Sequence, residues 1–275
     1  MDLKGKIQMT GQTDIGQLRE HNEDAIACDE AIGLAILADG MGGHRGGEMA
    51  SAITVSTILE SLSQQLKHRD KTPIDEDSGY SGESLAIHQA ITLANKNVFE
   101  SSQKNARYQG MGTTVVVLLF YDNRCSIAHV GDSRLYRLRD KTLEQMTADH
   151  SVTQELIDSG FYSPEQAKQA TNRNLITRAI GIEPRVQIDI QEDIVRLDDI
   201  FLLCSDGVTD MIDDSLIQTI LQKHKNNLSA AAAKIIQQAN KMGGKDNISV
   251  LLAKPVQSFP ARNHPFSRLF SLFFP

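Results

Sequence analysis

Four aspartates stand where a short apolar segment meets a glycine, and they carry most of the chemistry that this sequence offers. Asp39 and Asp206 end apolar segments and precede a glycine, Asp132 follows a glycine, and Asp246 comes just before the last apolar segment. Such segments are typical of buried strands, and a carboxylate at the end of one is costly unless a cation compensates it. Several such acids in one chain predict an oxygen-only site for a hard divalent cation, Mg²⁺ or Mn²⁺.

Simpler interpretations compete with this one at each position. Any one of these aspartates alone could be a turn residue, because Asp-Gly is a common turn dipeptide, and only their number favours a metal site. The glycine-rich segment 40–47 lacks the Gly-Lys-Ser/Thr end of a P-loop, so it does not support nucleotide binding. Its glycines would instead let the backbone approach a metal, so that a carbonyl joins the ligands.

Arg19 lies close in sequence to two further acids, Glu23 and Asp24. A guanidinium offers a planar fork that suits a phosphoryl group, although an ordinary surface salt bridge is the alternative, and composition alone leaves both open. The eight histidines show no metal-ligand spacing, and His129 lies inside an apolar segment as a core histidine would. Carboxylates, metal and arginine together suggest a metal-activated water that attacks phosphorus.

Strand-like and helical segments that could position these residues alternate along the chain. The strand-like segments are 33–38, 113–121, 124–130, 134–138, 186–190, 200–204 and 248–253, and the helical ones are 48–66, 85–99 and 228–242. Only Asp122 and Asn123 separate the second strand from the third, which indicates a hairpin. The pattern predicts an antiparallel sheet or sandwich with helices packed outside it.

Two polar segments interrupt this pattern. Residues 67–82 are rich in charge, glycine and proline and indicate a surface loop, whereas residues 151–182 form a long excursion without a predicted strand. In the excursion, Ser163 and Gln166 are spaced as the capping box of a helix start. A long excursion within a compact domain is usually functional or mobile, so we treat it as a candidate flap over the site.

Composition restricts the class of partner and the compartment. The 275 residues are 40% hydrophobic and carry a formal net charge of −7, which argues against nucleic acid as the main partner. Cys28, Cys125 and Cys204 are odd in number and lie in or beside apolar segments, which predicts buried free thiols and a reducing cytoplasm. Without a signal peptide or a segment long enough to span a bilayer, we expect a soluble, cytoplasmic monomer.

Six motifs resemble those of the metal-dependent protein phosphatases, the type 2C serine/threonine family in its compact bacterial form. They are Thr-Asp-x-Gly-x-x-Arg-x-x-Asn-Glu-Asp (13–24), Ala-Asp-Gly-Met-Gly-Gly-His (38–44), Gly-Thr-Thr (112–114), Val-Gly-Asp-Ser-Arg (130–134), Cys-Ser-Asp-Gly (204–207) and Asp-Asn-Ile-Ser (246–249). The resemblance implies an α+β fold, a four-layer αββα sandwich in which antiparallel helix pairs flank two central antiparallel β-sheets. It implies a catalytic domain over residues 1–254 and an aromatic, basic tail over residues 255–275.

The resemblance also implies which residues bind Mn²⁺ or Mg²⁺. Asp39 would bridge two tightly placed ions, and the backbone carbonyl of Gly40 would bind one of them. Asp206 and Asp246 would bind the other ion. Asp132, often with Asp206, would serve a third, weaker ion.

Further residues take roles around these ions in the same resemblance. Asn174, which lies in the candidate flap, would be a further ligand of the third ion. Arg19 matches the arginine that holds the substrate phosphate, and Glu23 and Asp24 match acids around metal-bound waters. Met41 stands where eukaryotic members have a histidine proposed as general acid, so the sequence assigns no acid to the leaving group.

The implied activity is hydrolysis of phosphoserine and phosphothreonine in proteins, by in-line attack of a hydroxide that bridges the metal ions. The implied partners are phosphoproteins, among them a cognate bacterial serine/threonine kinase and its targets. Two alternatives stay open. One is an inactive, phosphatase-like metal-binding module, and the other is a narrow regulatory phosphatase that acts on a single phosphoprotein switch.

The tail lies outside the resemblance and holds five of the nine phenylalanines. Phe266, Leu269, Phe270 and Phe273 fall at helical spacing beside basic residues. Such a segment could lie on an anionic membrane surface or dock in the groove of a protein partner. In the alternative, its phenylalanines fold back onto an apolar patch of the domain.

Overall fold

Two antiparallel β-sheets packed face to face form the centre of the molecule. The structure, a computed structural model, describes residues 2–43, 45–67, 79–163, 166 and 175–260. Over these residues the first sheet consists, in spatial order, of β1 (Ile7–Asp14), β11 (Ile248–Pro255), β10 (Ile200–Cys204), β7 (Arg134–Arg139) and β8 (Thr142–Gln145). All its strand pairs are antiparallel.

The second sheet carries most of the apolar strands that the sequence predicts. In the described part of the chain its spatial order is β2 (Asp24–Asp29), β3 (Leu34–Met41), β5 (Val115–Tyr121), β6 (Arg124–Val130) and β9 (Asp189–Ile194). The short strand β4 (Gly112–Thr113) pairs with the end of β3. β3 and β5 are almost completely buried, since helices cover one face of this sheet and the first sheet covers the other.

Helices cover the outer face of each sheet. α1 (Gly46–Lys67) and α2 (Gly82–Lys104) pack on the second sheet, and a cluster of buried apolar side chains fills the space between. A short helix α3 (Val152–Asp158) follows β8, and α4 (Asp206–Thr209) follows β10. α5 (Asp214–Lys223) and α6 (Leu228–Lys241) pack on the first sheet over a second cluster, and a third cluster lies between the sheets. The predicted αββα sandwich is therefore confirmed.

Two tight hairpins set the direction of the central strands. Asp122 and Asn123 join β5 to β6 with φ angles of 48° and 56°, and Asp140 and Lys141 join β7 to β8 with φ angles of 48° and 71°. Two consecutive positive φ angles define the hairpin turn whose twist matches that of the flanking strands. Because both turns lie at one end of their strands, the connection from β6 to β7, residues 131–133, lies at the opposite end.

Some elements differ from the prediction for physical reasons. No strand was predicted at β1 or β2, because half-exposed edge strands carry many polar side chains. The strand predicted at 186–190 was misplaced, since β9 runs over Asp189–Ile194 and its three acids hide the strand pattern. Cys125 and Cys204 are buried free thiols as predicted, but the prediction was wrong for Cys28, which is exposed on the edge strand β2.

The predicted helix start in the excursion is confirmed by its capping bonds. The amide of Gln166 donates to Oγ of Ser163 at 3.2 Å, and the amide of Ser163 donates to Oε1 of Gln166 at 2.8 Å. The rest of the segment 164–174 lies outside the described residues, as does 68–78 of the predicted surface loop. No helix in the described ranges combines the length and the hydrophobicity that crossing a membrane requires.

Candidate metal centre

Asp39 and Asp24 lie opposite each other on neighbouring strands. The register of β2 and β3 makes them Cα partners. The amide of Asp39 donates to Oγ1 of Thr114 at 3.0 Å, and its carbonyl accepts from the amide of Thr114 and the hydroxyl of Thr113, both at 2.8 Å. Thr113 and Thr114, which lie just before β5, therefore hold the backbone of Asp39 in place. This fixes the position from which the Asp39 side chain projects.

The other three aspartates reach the same end of the sandwich from different elements. Asp206 begins α4 directly after β10, and Asp246 precedes β11, which pairs with β10. Asp132 lies in the connection between β6 and β7. The strands of both sheets thus deliver these acids to one place, although they are far apart in the sequence.

The carboxyl groups at this end of the sandwich interact through their charges, although among the described residues no three of them bring ligand atoms within 4.8 Å of one another. Burial raises the pKa of Asp39 well above its ordinary value, and the charges of Asp24, Asp206, Asp132 and Asp246 raise it further. Burial also raises the pKa of Asp206 well above its ordinary value, followed by the charges of Asp132 and Asp246. Desolvation is the main cause that raises the pKa of Asp24 and of Asp132 to about 6. The site concentrates negative charge that a bound cation would neutralise.

Two carboxylate oxygens in this cluster have no hydrogen-bond partner among the described residues. They are Oδ1 of Asp24 and Oδ1 of Asp206, and both are buried. An unpaired buried acceptor costs about 1–3 kcal/mol, and more when it is charged. The donor atoms here are carboxylate and carbonyl oxygens, which Mg²⁺ and Mn²⁺ prefer. The residues fit the predicted metal site, while the role of each one as a ligand stays a prediction.

Close backbone packing explains the glycines around Asp39. A Cβ atom on Gly40 would lie 2.2 Å from the carbonyl oxygen of Gly47 and 2.5 Å from that of Glu23. A Cβ atom on Gly47 would lie 2.8 Å from the Glu23 carboxylate, which lies at the start of α1. β3, α1 and the loop before β2 therefore cross at a point that has no room for a side chain.

Arg19 contacts this cluster directly. Its Nη2 donates to Oδ2 of Asp246 at 2.6 Å, and 49% of its side chain is exposed. Of the two roles that the sequence left open, an ion pair is thus present, with Asp246 rather than with Glu23 or Asp24. The exposed part of the guanidinium borders a surface pocket of about 410 Å³, which is lined by Arg19, Glu20, His21, Glu23, Gly42, Arg45 and Arg107.

Neutral side chains brace the acids, and the sequence analysis assigned no role to them. The hydroxyl of Ser205 donates to Oδ2 of Asp24 at 2.9 Å and accepts from the amide of Ser249 at 3.0 Å. Oδ1 of Asn247 accepts from the amide of Glu23 at 2.8 Å, and its Nδ2 donates to two carbonyls of the loop before β2 at 3.0 and 2.9 Å. These bonds tie the ends of β10 and β11 to the loop that carries Arg19.

The connection that carries Asp132 is braced by the residues that follow it. The hydroxyl of Ser133 lies 2.7 Å from that of Thr114, which also holds the amide of Asp39. Arg134 donates to both carboxylate oxygens of Asp149, and the charge of Asp149 is the second cause that raises the pKa of Asp132.

A second group of potential metal ligands lies behind this connection, contrary to the sequence analysis. His129, His150 and Asp189 each offer a ligand atom within 4.8 Å of the others. The amide of Gly131 donates to Nδ1 of His150 at 3.1 Å, so the proton of the neutral ring is on Nε2, which faces Asp189 at 3.3 Å. A neutral histidine that binds a metal through one ring nitrogen keeps a proton on the other nitrogen. Nδ1 of His150 accepts a hydrogen bond and carries no proton, so a metal on Nε2 would leave the ring without an N–H.

A cation at this group would also meet a positive charge. Nη1 of Arg178 lies 3.2 Å from Nε2 of His150 and donates to Asp189 at 2.9 Å. His129 is buried and its Nε2 lies 2.8 Å from the carbonyl of Ala148, as expected for a satisfied core histidine. The group therefore acts as a hydrogen-bonded link between the Asp132 connection, β9 and the end of the excursion.

All predicted site residues in the described part of the chain lie at this end of the sandwich. They are Arg19, Glu23, Asp24, Asp39, Gly40, Asp132, Asp206 and Asp246, whereas Asn174 lies outside the described residues. Ser205 and Asn247 were missed although each adjoins a predicted aspartate, and that adjacency was the available signal. Asp149 and His150 gave no such signal, because only the tertiary structure brings them to Asp132 and Gly131.

Comparison with known proteins gives matches over most of the chain. The family described as Protein phosphatase 2C matches residues 16–252. The serine/threonine phosphatase stp of Listeria welshimeri is 35% identical over 246 residues, which cover 88% of this chain and 94% of the relative.

Solved structures agree with this result. The serine/threonine phosphatase PstP/Ppp of Mycobacterium tuberculosis has a TM-score of 0.79 at 33% identity, covering 91% of this chain and 99% of that one. The catalytic domain of PstP in complex with two manganese ions has a TM-score of 0.77 at 32% identity, with the same coverage.

Proposed function

Because this chain belongs to the protein phosphatase 2C family, we propose that four of its five clustered aspartates, all except Asp24, bind the divalent cations with which it works. The chain is a metal-dependent serine/threonine protein phosphatase, and the comparisons favour this activity over an inactive module or a single-switch regulator. The observation that carries the assignment of the site is the convergence of buried, partly unpaired carboxylates beside Arg19.

We assign the metal ligands residue by residue from the family resemblance, with which the donor set of carboxylate and carbonyl oxygens agrees. Asp39 would serve two ions, the carbonyl of Gly40 would hold one of them, and Asp206 and Asp246 would hold the other. Asp132 would hold a third, weaker ion together with Asp206, as the family resemblance implies, and burial followed by the charge of Asp132 raises the pKa of Asp206. Either Mn²⁺ or Mg²⁺ suits a site of oxygen ligands.

When bound, the ions supply a water of lowered pKa and neutralise charge on the phosphoryl group. Arg19 holds the substrate phosphate with the exposed part of its guanidinium, while its contact with Asp246 aligns it with the cluster. The Glu23 carboxylate lies beside Gly47 at the start of α1, and Asp24 is oriented by Ser205. Met41 has no proton to donate, so this position supplies no general acid for the leaving oxygen.

The partners and the location follow from the activity and the composition. The substrates are phosphoserine and phosphothreonine proteins, among them a cognate serine/threonine kinase and the targets of that kinase. Two buried free thiols, Cys125 and Cys204, suit a reducing cytoplasm. We retain a monomer as the proposed oligomeric state and a membrane surface or protein groove as the proposed contact of the tail.

Hydrolysis of a phosphothreonine peptide tests the proposal. Chelation should abolish turnover without a change in circular dichroism, and Mn²⁺ or Mg²⁺ should restore it. Arg19→Ala should lower kcat/KM about tenfold to hundredfold, because charge-assisted hydrogen bonds to phosphate are lost. Arg124→Ala is the control, since Arg124 pairs with Glu192 at the far end of β6.

Calorimetric metal titration separates the roles of the acids. Asp132→Ala should keep the two tight ions and slow the reaction. Full activity after exhaustive metal removal would refute the metal site, and unchanged kinetics of Arg19→Ala would leave Arg19 as a structural ion pair only.

A further inference from the structure

The pocket beside Arg19 contains more guanidinium groups than the one assigned to the substrate phosphate. Arg45 and Arg107 line it together with Arg19. Its volume of about 410 Å³ leaves room for more than the phosphate at Arg19.

The two additional arginines differ from most others in the molecule. In the described ranges, seven of the ten arginines form an ion pair with a carboxylate, and Arg45, Arg107 and Arg185 do not. Two of these three line the same pocket, although the chain has a net charge of −7 and acids are plentiful. Their guanidinium groups keep their donors for a ligand.

The acids that line the pocket neutralise it only in part. Burial raises the pKa of Glu23, while the charge of Arg19 and the backbone of Glu48 and Gly47 lower it, so its negative charge is shared between Arg19 and the start of α1. Glu20 is exposed at the pocket, and Arg19 is already paired with Asp246. The positive charge of Arg45 and Arg107 is therefore available to a group that enters the pocket.

Backbone hydrogen bonds define the positions of both arginines. Arg45 lies between β3 and α1 with a φ angle of 65°, and its carbonyl accepts from the amide of Met49 at the start of the helix. Arg107 lies in a short 3-10 helix between α2 and β4, where Oδ1 of Asn105 accepts from its amide at 3.0 Å. Two separate connections thus present one arginine each to the same pocket as Arg19.

We propose that Arg45 and Arg107 form a second anion subsite, which binds a carboxylate or phosphate group flanking the phosphorylated residue of the substrate. This inference rests on the proposed function, because Arg19 has to hold the phosphate that is hydrolysed. The enzyme would then prefer acidic or multiply phosphorylated sequences. Exposed arginines give a modest preference that added salt weakens.

Matched phosphothreonine peptides test the subsite with Mn²⁺ present. They differ only in one neighbouring residue, which is alanine, aspartate or a non-hydrolysable phosphonate, placed on either side of the phosphothreonine. The wild type should show a kcat/KM about threefold to tenfold higher for the anionic peptides than for the alanine peptide. A gain with the phosphonate alone assigns the subsite to a second phosphate, and a gain with both assigns it to anionic groups in general.

Variants identify the residues responsible through the ratio of anionic to alanine peptide. Arg45→Gln and Arg107→Gln should each reduce this ratio, and the double variant should bring it close to one. Glu20→Gln should increase it, because it removes a negative charge from the pocket. Arg185→Gln is the matched control, since Arg185 is also exposed and outside every ion pair of the described residues but does not line the pocket.

Three results would overturn the subsite. Equal kcat/KM for all peptides in the wild type would show that no flanking anion is recognised. An equal loss of preference in Arg185→Gln would show a general field of the surface instead. Failure to hydrolyse any peptide or a small aryl phosphate would refute the proposed function and the subsite with it.

Discussion

Asp39 and Asp24 illustrate the cost of placing like charges on neighbouring strands. The two residues are Cα partners on β2 and β3, and desolvation together with the surrounding aspartates raises the pKa of Asp39 well above its ordinary value. The folded chain without metal therefore bears a repulsion that the unfolded chain lacks. A bound divalent cation would convert this repulsion into attraction, so the cluster should affect stability in opposite directions with and without metal.

Asp39→Asn should reveal this reversal. Without metal the variant should melt at a higher temperature than the wild type, because one buried charge is gone. At a Mn²⁺ concentration of about 100 Kd the wild type should gain about 2.7 kcal/mol of unfolding free energy, and the variant should gain much less. Thermal melts with chelator and with Mn²⁺ measure both effects.

Glu155→Gln serves as the control, since it removes one charge from an exposed position on α3. It should leave the Mn²⁺ effect unchanged. Equal stabilisation of wild type and Asp39→Asn by Mn²⁺ would contradict the assignment of Asp39 as a ligand.

His150 should make stability depend on pH. Desolvation, His129 and Arg178 lower the pKa of His150 despite the nearby Asp189, and desolvation lowers the pKa of His129. The unfolded chain then binds protons more readily than the folded chain. The contribution of these groups is complete above the ordinary histidine pKa of about 6.5 and falls as the pH drops below it.

Urea unfolding of His150→Gln tests this at a series of pH values from about 7.5 to 5.5. The difference in unfolding free energy between wild type and variant should shrink as the pH falls. His88→Gln, at an exposed position of α2, should follow the wild type at every pH. Parallel curves for the wild type and His150→Gln would exclude a titrating role of His150.

At the scale of elements, the crossing of β3 with α1 holds the metal centre together. Gly40 and Gly47 let the two backbones and the carbonyl of Glu23 approach to distances that a Cβ atom would forbid. The loop between them contains Gly43, where an added Cβ would meet nothing within 4 Å. Gly40 therefore has no room for a side chain, whereas Gly43 in the same segment does.

Gly40→Ala should separate β3 from α1 and weaken both folding and metal binding. Overpacking typically costs about 1–3 kcal/mol, and a contact with rigid backbone at 2.2 Å places this variant at the upper end. Gly43→Ala should have little effect on either property. Chemical denaturation and Mn²⁺ calorimetry measure them, and equal behaviour of the two variants would refute the crossing as the constraint.

At the scale of the whole molecule, Phe259 joins the segment after β11 to the core. Its ring is buried between the sheets, with an edge contact to Phe120 at 6.1 Å between centroids. The amide of Phe259 donates to Oδ1 of Asn123 at 2.6 Å. The domain boundary at 254/255 stays a prediction, but the first phenylalanine assigned to the tail packs as part of the domain.

Two truncations distinguish this contact from the role of the remaining tail. A chain that ends at Lys254 loses Phe259 and should be destabilised by about 3–5 kcal/mol, as Phe259→Ala should be. A chain that ends at Pro260 should keep the stability of the full chain. Co-sedimentation with anionic liposomes should then be lost in the Pro260 truncation if residues 261–275 bind the membrane surface.

Equal liposome binding of the full chain and the Pro260 truncation would remove the membrane contact. Equal stability of the Lys254 truncation and the full chain would show that Phe259 contributes nothing to folding.

The amino-acid sequence by itself determined the class of fold and predicted the residues of the candidate site. Apolar strands such as 124–130, the turn at Asp122 and Asn123 and the helical spacing of 48–66 are local signals, and local signals predict local structure. The six motifs added the family, and hence the order of the layers. Polar edge strands such as β1 and β2 were not predicted, because the burial of their side chains depends on neighbours far away in the chain.

Only the tertiary structure decided which groups interact through their charges, which pack closely together and which form hydrogen bonds. The pairing of Arg19 with Asp246 spans 227 positions, and the bond from Ser205 to Asp24 spans 181. The guanidinium groups of Arg45 and Arg107 form no ion pair with the described residues, and they line the same pocket only because two connections meet beside Arg19. Desolvation and charge interaction depend on distances in space, and these distances cannot be read from the spacing of residues along the sequence.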